Sequence, residues 1–281
     1  MAGDKSFPVL NSTYPLEEGV VGDYRRDGHV ALRGVASAEE IAAYRPAIGE
    51  LVWRHNKQTT PLEERDTYHQ AFVQVANLWE LSEQVARFTL AKRFGRIAAE
   101  LMGVAGVRLY HDQALFKEAG GGPTPWHQDQ YYWPLDNDNC VTMWMPLVDA
   151  PVEMGTVAFA SGSHRDGCVA SLAISDESDE AIRKLVAERG YTISNDSLAA
   201  GDATFHAGWT LHMAPGNRTD RVREAMTVIY MADDTRLIEP DNPHRPADLE
   251  RWFPGLRPGD LAASPLNPLI YRRVDDDRPQ V

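Results

Sequence analysis

The sequence predicts a mainly β fold in which an all-β core follows a helical N-terminal third. From Val107 onwards, short runs rich in β-branched and aromatic residues are separated by turn residues, as in CVTMWMPLV and AMTVIYMAD. Before that point, apolar residues recur at the three- and four-residue spacing of helices. We expect these helices to cover one outer face of the β core, because each layer must bury its apolar side.

The chain of 281 residues, 43% of them hydrophobic, has the length and composition of one large domain. We expect this domain (1–281) to comprise a helical N-terminal third (1–106), a β core (107–232) and a C-terminal wrap (233–281). The wrap is rich in Pro, Asp and Arg, which predicts ordered loop held on the core by apolar anchors. The anchors are Leu249, Trp252, Phe253, Leu256 and Tyr271.

Local signals mark three of the helices. Ser37 and Glu40 form a capping box, so a helix should begin there. Apolar residues at helical spacing predict a second helical stretch over 83–102, with Gly103 as its stop signal. A further helix, over 179–189, should interrupt the β core.

The charge balance narrows the class of partner. A formal net charge of −13 argues against nucleic acid and anionic membranes, which are recognised through clustered Lys and Arg. No stretch approaches the roughly 18 apolar residues that span a bilayer, and the N-terminus has no signal-peptide pattern. The two cysteines, Cys140 and Cys168, form no C-x-x-C pair and are expected as free thiols. We expect a cytoplasmic monomer or homodimer that acts on a small molecule.

One tripeptide suggests a metal site. On an extended strand, residues i and i+2 point the same way, so His127 and Asp129 can present an imidazole and a carboxylate to one ion. Two histidines and one carboxylate leave three adjacent coordination positions open, the arrangement typical of non-haem iron(II) oxygenases. The second histidine must come from elsewhere in the chain.

A second tripeptide has the same spacing. His164-Arg165-Asp166 follows Ser161-Gly162-Ser163 and precedes Gly167, a context that indicates a turn rather than a strand. Spacing alone is weak evidence, because nine histidines in an acidic chain produce such matches by chance. The surrounding sequence must decide between the two.

The run TPWHQDQYY at 124–132 resembles the iron-binding strand of the phytanoyl-CoA dioxygenase family. Further motifs follow in the family's order, and the similarity extends from about Gly28 to Tyr271. These motifs are the tryptophan strand around Trp144, the "GSH" turn at 162–164 and the opening of the last metal strand at Gly201-Asp202.

The resemblance implies a double-stranded β-helix, or jelly roll, that binds iron(II), 2-oxoglutarate and dioxygen. His127, Asp129 and His212 would hold the iron. Arg223, eleven residues after His212, matches the arginine that binds the distal carboxylate of 2-oxoglutarate. A planar guanidinium suits that two-pronged contact.

The sequence departs from the family at two places. Glu153-Met154-Gly155 replaces the usual Glu-Asn-Gly, and Ala214 stands where a hydroxyl residue is common. Neither change removes a metal ligand, but the second weakens the case for the co-substrate pocket. Arg221 is a rival anion partner to Arg223.

Other residues are assigned to the cavity with alternatives open. Gln113 and Lys117 should share a face with Val107 and Leu109, and a lysine on an inward face needs an anion. The family places co-substrate contacts on this strand, so we assign both to that pocket; a solvent-facing rim is the alternative. Trp144 is a wall of that pocket or simply core.

Aromatic residues and the other histidines are less specific. The run Tyr131-Tyr132-Trp133 lines the substrate mouth or belongs to the aromatic core. The remaining histidines near the chemistry should make structural hydrogen bonds rather than ligate metal. They are His111, His164 and His206.

The expected function is oxidation of a small, largely apolar molecule, with secondary metabolism as the expected setting. Hydroxylation is the default outcome, while epimerisation, desaturation or cyclisation would use the same residues. A cupin-like metal enzyme without 2-oxoglutarate is a rival, as is a non-catalytic β-sandwich binding module. Acyl-CoA is disfavoured, because no clear cluster of Lys and Arg is available to meet its phosphates.

Overall fold

The computed structural model describes residues 7–169 and 175–273, and two antiparallel sheets form its centre. The strands of the larger sheet are β1 (His29–Leu32), β2 (Val73–Ala76), β3 (Gly106–Phe116), β5 (Cys140–Pro146), β8 (Ala203–Ala207), β10 (Ala225–Ala232) and β11 (Leu269–Arg272). The strands of the smaller sheet are β4 (Thr124–His127), β6 (Ala158–Ala160), β7 (Ile193–Asn195) and β9 (His212–Ala214).

The strand orders are those of a sandwich. The larger sheet runs β1-β8-β5-β10-β3-β11, with β2 added against β3, and the smaller runs β4-β9-β6-β7. Neighbours in each sheet are distant in sequence, and every pairing between these strands is antiparallel. The prediction of a mainly β jelly-roll core is confirmed.

Most of the N-terminal helices pack on one face of the larger sheet, whereas the helix at 176–189 packs against β4 of the smaller sheet. The helices are α1 (Val20–Asp27), α2 (Ala38–His55), α3 (Thr67–Ala71), α4 (Glu83–Thr89), α5 (Lys92–Met102), α6 (Asp176–Arg189) and α7 (Arg245–Trp252). The predicted capping box is present, since Ser37 and Glu40 close it at the start of α2. None of the helices in the described ranges is long and apolar enough to cross a membrane.

The larger sheet is buried on both faces, and its side chains alternate between two environments. In β5, Val141, Met143 and Met145 join the core shared with the helices. Thr142 and Trp144 point the other way and line a cavity between the sheets. The same alternation in β8 and β10 gives this sheet one apolar face for folding and one mixed face for chemistry.

The stretch 83–102 forms two helices rather than one. The helix α4 ends at Thr89 and α5 begins at Lys92, with Ala91 in an extended conformation between them. The apolar spacing contains the reason, because Phe88 and Phe94 are six residues apart and two helical turns need about seven. The break allows both side chains to reach the same core.

The C-terminal wrap contains more regular structure than predicted. Besides loop, it forms the helix α7 and the strand β11, and the latter extends the larger sheet. The predicted apolar anchors do pack against the core, and Trp252 and Phe253 are buried. Residues 274–281 of the predicted wrap lie outside the described part of the chain.

A β-bulge corrects the face assignment on β3. His111 lies opposite Ile229 and Leu109 lies opposite the next residue of β10, so Tyr110 is the extra residue. Before the bulge, Leu109 packs against the helices; after it, Gln113 lines the cavity. Gln113 therefore points inward, but it does not share a face with Leu109 as predicted.

A buried carboxylate connects this strand to the helical layer. Asp112, which is fully buried, accepts hydrogen bonds from the backbone N–H groups of Leu78 and Trp79 and from the Thr89 hydroxyl. The packing of helices on the sheet removes these three donors and the carboxylate from water, and their hydrogen bonds to one another replace those to water.

We predict that Asp112→Ala lowers the free energy of unfolding by about 2 to 4 kcal/mol, because it leaves buried donors without a partner. Urea denaturation measures the change. Asp220→Ala is the control, since Asp220 is exposed. A loss no larger than that of the control would show that the carboxylate does not stabilise this contact.

Candidate metal centre and cavity

Three side chains converge at the end of the smaller sheet. The pairing of β4 with β9 sets His127 opposite His212, and Asp129 follows in a short 3-10 turn. The Oδ1 atom of Asp129 lies 3.6 Å from Nε2 of His127 and 3.7 Å from Nε2 of His212. One ligand atom from each residue lies within 4.8 Å of the others, so a single ion can contact all three.

Asp129 itself is not in a strand, as the i, i+2 argument assumed. The strand β4 ends at His127, and Gln128 keeps extended backbone angles before the turn begins. That one extended residue is sufficient to place the imidazole and the carboxylate on the same side.

Backbone carbonyls orient both imidazoles. The Nδ1 atom of His127 lies 2.8 Å from the carbonyl oxygen of Pro125, and that of His212 lies 2.9 Å from the carbonyl oxygen of Thr210. A carbonyl oxygen only accepts, so each Nδ1 carries a proton and donates it. In the neutral ring, Nε2 then has a free lone pair, and both Nε2 atoms face Asp129.

Burial and charge give the protonation states that a metal needs. Burial lowers the pKa of both His127 and His212 to about 4, so both rings are neutral at neutral pH. Burial alone would raise the pKa of Asp129, but the surrounding imidazoles and a hydrogen bond from His206 lower it below its usual range. Two neutral imidazoles and an ionised carboxylate fit a divalent cation.

The other oxygen of Asp129 is occupied by donors. Oδ2 accepts a hydrogen bond from the Thr142 hydroxyl at 2.9 Å and lies 3.3 Å from Nε2 of His206. These contacts turn Oδ1 towards the two histidines and suit a carboxylate that binds through one oxygen only. His206 is thus a hydrogen-bonding neighbour of the candidate ligands.

The competing tripeptide lies elsewhere. His164 and Asp166 belong to a 3-10 turn; Nε2 of His164 contacts the carbonyl oxygen of Arg25, and Asp166 pairs with Arg189. Among the described residues, the only group of three potential ligands is the one that contains His127. His164 therefore connects the "GSH" turn to the N-terminal helix α1.

A cavity of about 400 Å³ extends from the three side chains, with Arg223 at one end. The Arg223 side chain is 1% exposed, donates to the carbonyl oxygens of Gly155 and Leu115, and lies 5.2 Å from the centre of the Trp144 ring. Its Nε atom is buried without a hydrogen-bond partner. Arg221, the rival, is exposed.

No acidic side chain in the described ranges forms a salt bridge with Arg223. Burial lowers the pKa of Arg223 to about 9, which still leaves it a cation at neutral pH. A buried cation without a counter-ion is unfavourable, so this end of the cavity fits an anionic group.

The other predicted pocket residues are divided. Gln113 and Trp144 line the cavity, whereas Lys117 is not part of the lining, and its Nζ donates to the carbonyl oxygen of Gly122. Burial and the charge of Arg223 lower the pKa of Lys117 to about 6. Contact between Lys117 and a co-substrate stays a prediction.

Aromatic rings from outside the strands line part of the cavity, which we call its outer half. Its aromatic lining includes Tyr68, Phe72, Tyr132, Trp133 and Trp252. Tyr132 and Trp133 thus reach the cavity as the sequence suggested, and Tyr131 packs beside Tyr132 without lining it.

Sequence reasoning missed the polar residues of this half. The face of α7 contributes His244, Asp248 and Arg251 to the cavity. The spacing 244, 248, 251 and 252 is that of one helical face, but this signal is visible only once the tail is recognised as helical.

Comparison with known proteins agrees with this geometry. Residues 24–225 match the family model for phytanoyl-CoA dioxygenase (PhyH). The chain is 26% identical over 132 residues to a probable alpha-ketoglutarate-dependent hypophosphite dioxygenase of Stutzerimonas stutzeri, a match covering 46% of each protein. It is 30% identical over 93 residues to a phytanoyl-CoA dioxygenase of Arabidopsis thaliana, covering 33% of this chain and 32% of that protein. The chain thus matches less than half the length of either relative.

Solved structures match over a longer range. The alpha-ketoglutarate-dependent epimerase SnoN of nogalamycin biosynthesis superposes with a TM-score of 0.73 at 28% identity, covering 90% of this chain and 98% of SnoN. The carbocyclase SnoK of the same biosynthesis gives a TM-score of 0.75 at 29% identity, covering 93% and 99%. The family model matches most of the length of this chain. The chain therefore belongs to the phytanoyl-CoA dioxygenase family of iron- and 2-oxoglutarate-dependent oxygenases.

Proposed function

We propose that this protein is an iron(II)- and 2-oxoglutarate-dependent oxygenase of a small molecule, with His127, Asp129 and His212 as the iron ligands. The observation that supports this best is the combination of two features in one cavity. One is a donor set with two neutral imidazoles and a carboxylate that offers one oxygen. The other is the buried and unpaired guanidinium of Arg223.

In this proposal Arg223 binds the distal carboxylate of 2-oxoglutarate. Its free Nε proton and its buried position in the cavity lining suit a two-pronged, charge-assisted contact. Trp144 packs beside the guanidinium and Gln113 adds an amide group to the same wall. Ala214 also lines the cavity and contributes no hydroxyl there.

The chemistry divides between the bound groups and the protein. When bound, iron(II) with 2-oxoglutarate and dioxygen supplies the oxidising power, and the keto acid leaves as succinate and carbon dioxide. The protein's residues hold and orient the bound groups and exclude water from them. Thr142 and His206 keep Oδ2 of Asp129 engaged, and the aromatic rings of the outer half give the cavity an apolar wall.

The substrate we infer is a free, largely apolar small molecule of secondary metabolism. The aromatic lining supports this, as do the relatives SnoN and SnoK, whose names refer to nogalamycin biosynthesis. Those relatives are an epimerase and a carbocyclase, so hydroxylation is one outcome among several for the same residues. A cytoplasmic monomer or homodimer stays our expectation.

The test of this function is succinate release. Purified protein with iron(II), 2-oxoglutarate and oxygen is assayed with acyl-CoAs, free fatty acids, amino acids, and polycyclic aromatic or terpenoid compounds. We expect stimulation by a ring compound or terpenoid. Stimulation by acyl-CoA alone would contradict the proposed substrate class. Iron binding without any turnover or binding of 2-oxoglutarate would favour a cupin-like enzyme or a binding module.

We predict that alanine at any proposed ligand abolishes stoichiometric iron binding. His164→Ala and Asp166→Ala should leave it intact, because those side chains lie in a separate turn. Metal analysis of the purified variants decides between the two tripeptides. Iron lost from the His164 variant but kept by His127→Ala would reverse our assignment.

We predict that Thr142→Val weakens iron binding about tenfold, as the loss of a partner to a metal-ligating carboxylate typically does. The change removes the hydroxyl that donates to Asp129 and keeps the shape. Thr204→Val is the matched control, since the Thr204 hydroxyl is buried without a partner. Equal iron affinities in the two variants would show that Thr142 does not orient the carboxylate.

We predict that Arg223→Lys weakens 2-oxoglutarate binding about ten- to a hundredfold and iron binding far less, because a charge-assisted pair contributes about 1.5 to 3 kcal/mol. Arg221→Lys should change neither, since that side chain is exposed. Calorimetric titration of both variants measures the ranking. The reverse ranking would move the anchor to Arg221.

A further inference from the structure

The bulge at Tyr110 points two consecutive side chains of β3 towards α7. The Tyr110 hydroxyl donates a hydrogen bond to Oδ2 of Asp248 at 2.9 Å. The next ring, that of His111, stacks on Trp252 with centroids 4.2 Å apart and an angle of 24° between the planes. In a regular strand these two side chains would lie on opposite faces, so the bulge builds this contact.

His111 presents a hydrogen-bond acceptor to the cavity. Its Nδ1 atom lies 3.2 Å from the carbonyl oxygen of Asp112, so Nδ1 carries a proton. Burial lowers the pKa of His111 to about 4, and the ring is therefore neutral at neutral pH. Nε2 then has a free lone pair, and the His111 ring lines the cavity.

Asp248 presents a second acceptor. Its carboxylate lines the cavity, accepts from Tyr110 and Trp252, and forms no salt bridge among the described residues. Burial raises its pKa to about 6, so it is mostly ionised at neutral pH. Arg251, on the same helix face, lies over the Trp252 ring at 4.4 Å from its centre.

We propose that Asp248 and Nε2 of His111 form a binding site for a hydrogen-bond donor of the substrate, namely a hydroxyl or ammonium group on a ring skeleton. The skeleton packs against the aromatic lining of the outer half, and the donor group lies on the side of the cavity formed by α7. This inference rests on the proposed function, because it takes the outer half of the cavity as the substrate site. The inferred substrate is therefore an apolar skeleton with one hydrogen-bond donor that this site selects.

The experiment compares probes that share one skeleton and differ in one group. Tryptamine, tryptophol and indoleacetate offer an ammonium, a hydroxyl and a carboxylate at similar distances from an indole ring. Binding to the full chain is measured by calorimetry without oxygen, in the presence of iron(II) and 2-oxoglutarate. We expect tryptamine to bind at least tenfold tighter than indoleacetate, with tryptophol between them.

Variants assign the preference to residues. Asp248→Asn should lower tryptamine affinity about tenfold, to the level of tryptophol. His111→Phe keeps a ring against Trp252 and should weaken both tryptamine and tryptophol. Glu250→Gln is the control, because Glu250 lies on the same helix but is exposed and outside the cavity lining. Thermal unfolding of each variant establishes that it is folded, and the comparison of probes on the unaltered protein needs no variant.

Two results would overturn the proposal. Tightest binding of indoleacetate, lost in Arg251→Gln, would make α7 an anion site instead. Equal affinities for the three probes would show that the acceptors do not select. Failure of the proposed function is detected separately. The charge-transfer absorption of the iron(II) complex with 2-oxoglutarate is recorded before any probe is added, and its absence would contradict the proposed function rather than this inference.

Discussion

The antiparallel register between β4 and β9 is the constraint on which the candidate site depends. It sets His127 directly opposite His212 at the end of the smaller sheet. Side chains alternate along a strand, so a shift of one residue would turn one imidazole away and separate the pair. Asp129 needs only one extended residue beyond β4 to join them. A short two-stranded contact therefore fixes three donor atoms that come from positions up to 85 residues apart, counting from 127 to 212.

The larger sheet provides most of the apolar core and the polar residues that surround the candidate ligands. It is apolar towards the helices, and that face supplies most of the core that stabilises the sandwich. Its other face carries Thr142, His206 and Thr227, groups that would be costly in an ordinary core; the first two contact Asp129, and Thr227 donates to the backbone carbonyl of Gln113. Arg223 differs, because no acidic side chain in the part of the chain that the structure describes pairs with its charge. The fold keeps a buried cation beside the cavity, where it is unfavourable unless a bound anionic group pairs with it, and this makes Arg223 an indication of function.

The candidate metal ligands could be predicted from the sequence, whereas most residues of the outer half of the cavity could not. His127, Asp129 and His212 are recognisable because they lie in motifs whose order and spacing persist along the chain. The break between α4 and α5 was also present in the sequence, as the six-residue step from Phe88 to Phe94. The bulge at Tyr110 left no comparable signal, because inserting one residue into a strand changes its pairing and not its composition. For that reason the inward face of β3 was assigned from the wrong neighbours.

A related reason explains why the wall formed by α7 could not be predicted. Asp248 and Arg251 read as ordinary surface charges in a proline-rich tail, and their position in the cavity follows only from where α7 packs. That packing depends in turn on the bulge, since Tyr110 and His111 are the side chains that hold Asp248 and Trp252. The proposed iron ligands and Arg223 lie in or beside strands of the jelly roll, whereas this wall comes from a helix outside it. Exchange of the outer helix could therefore change which substrate binds without disturbing the residues that the oxidation chemistry requires.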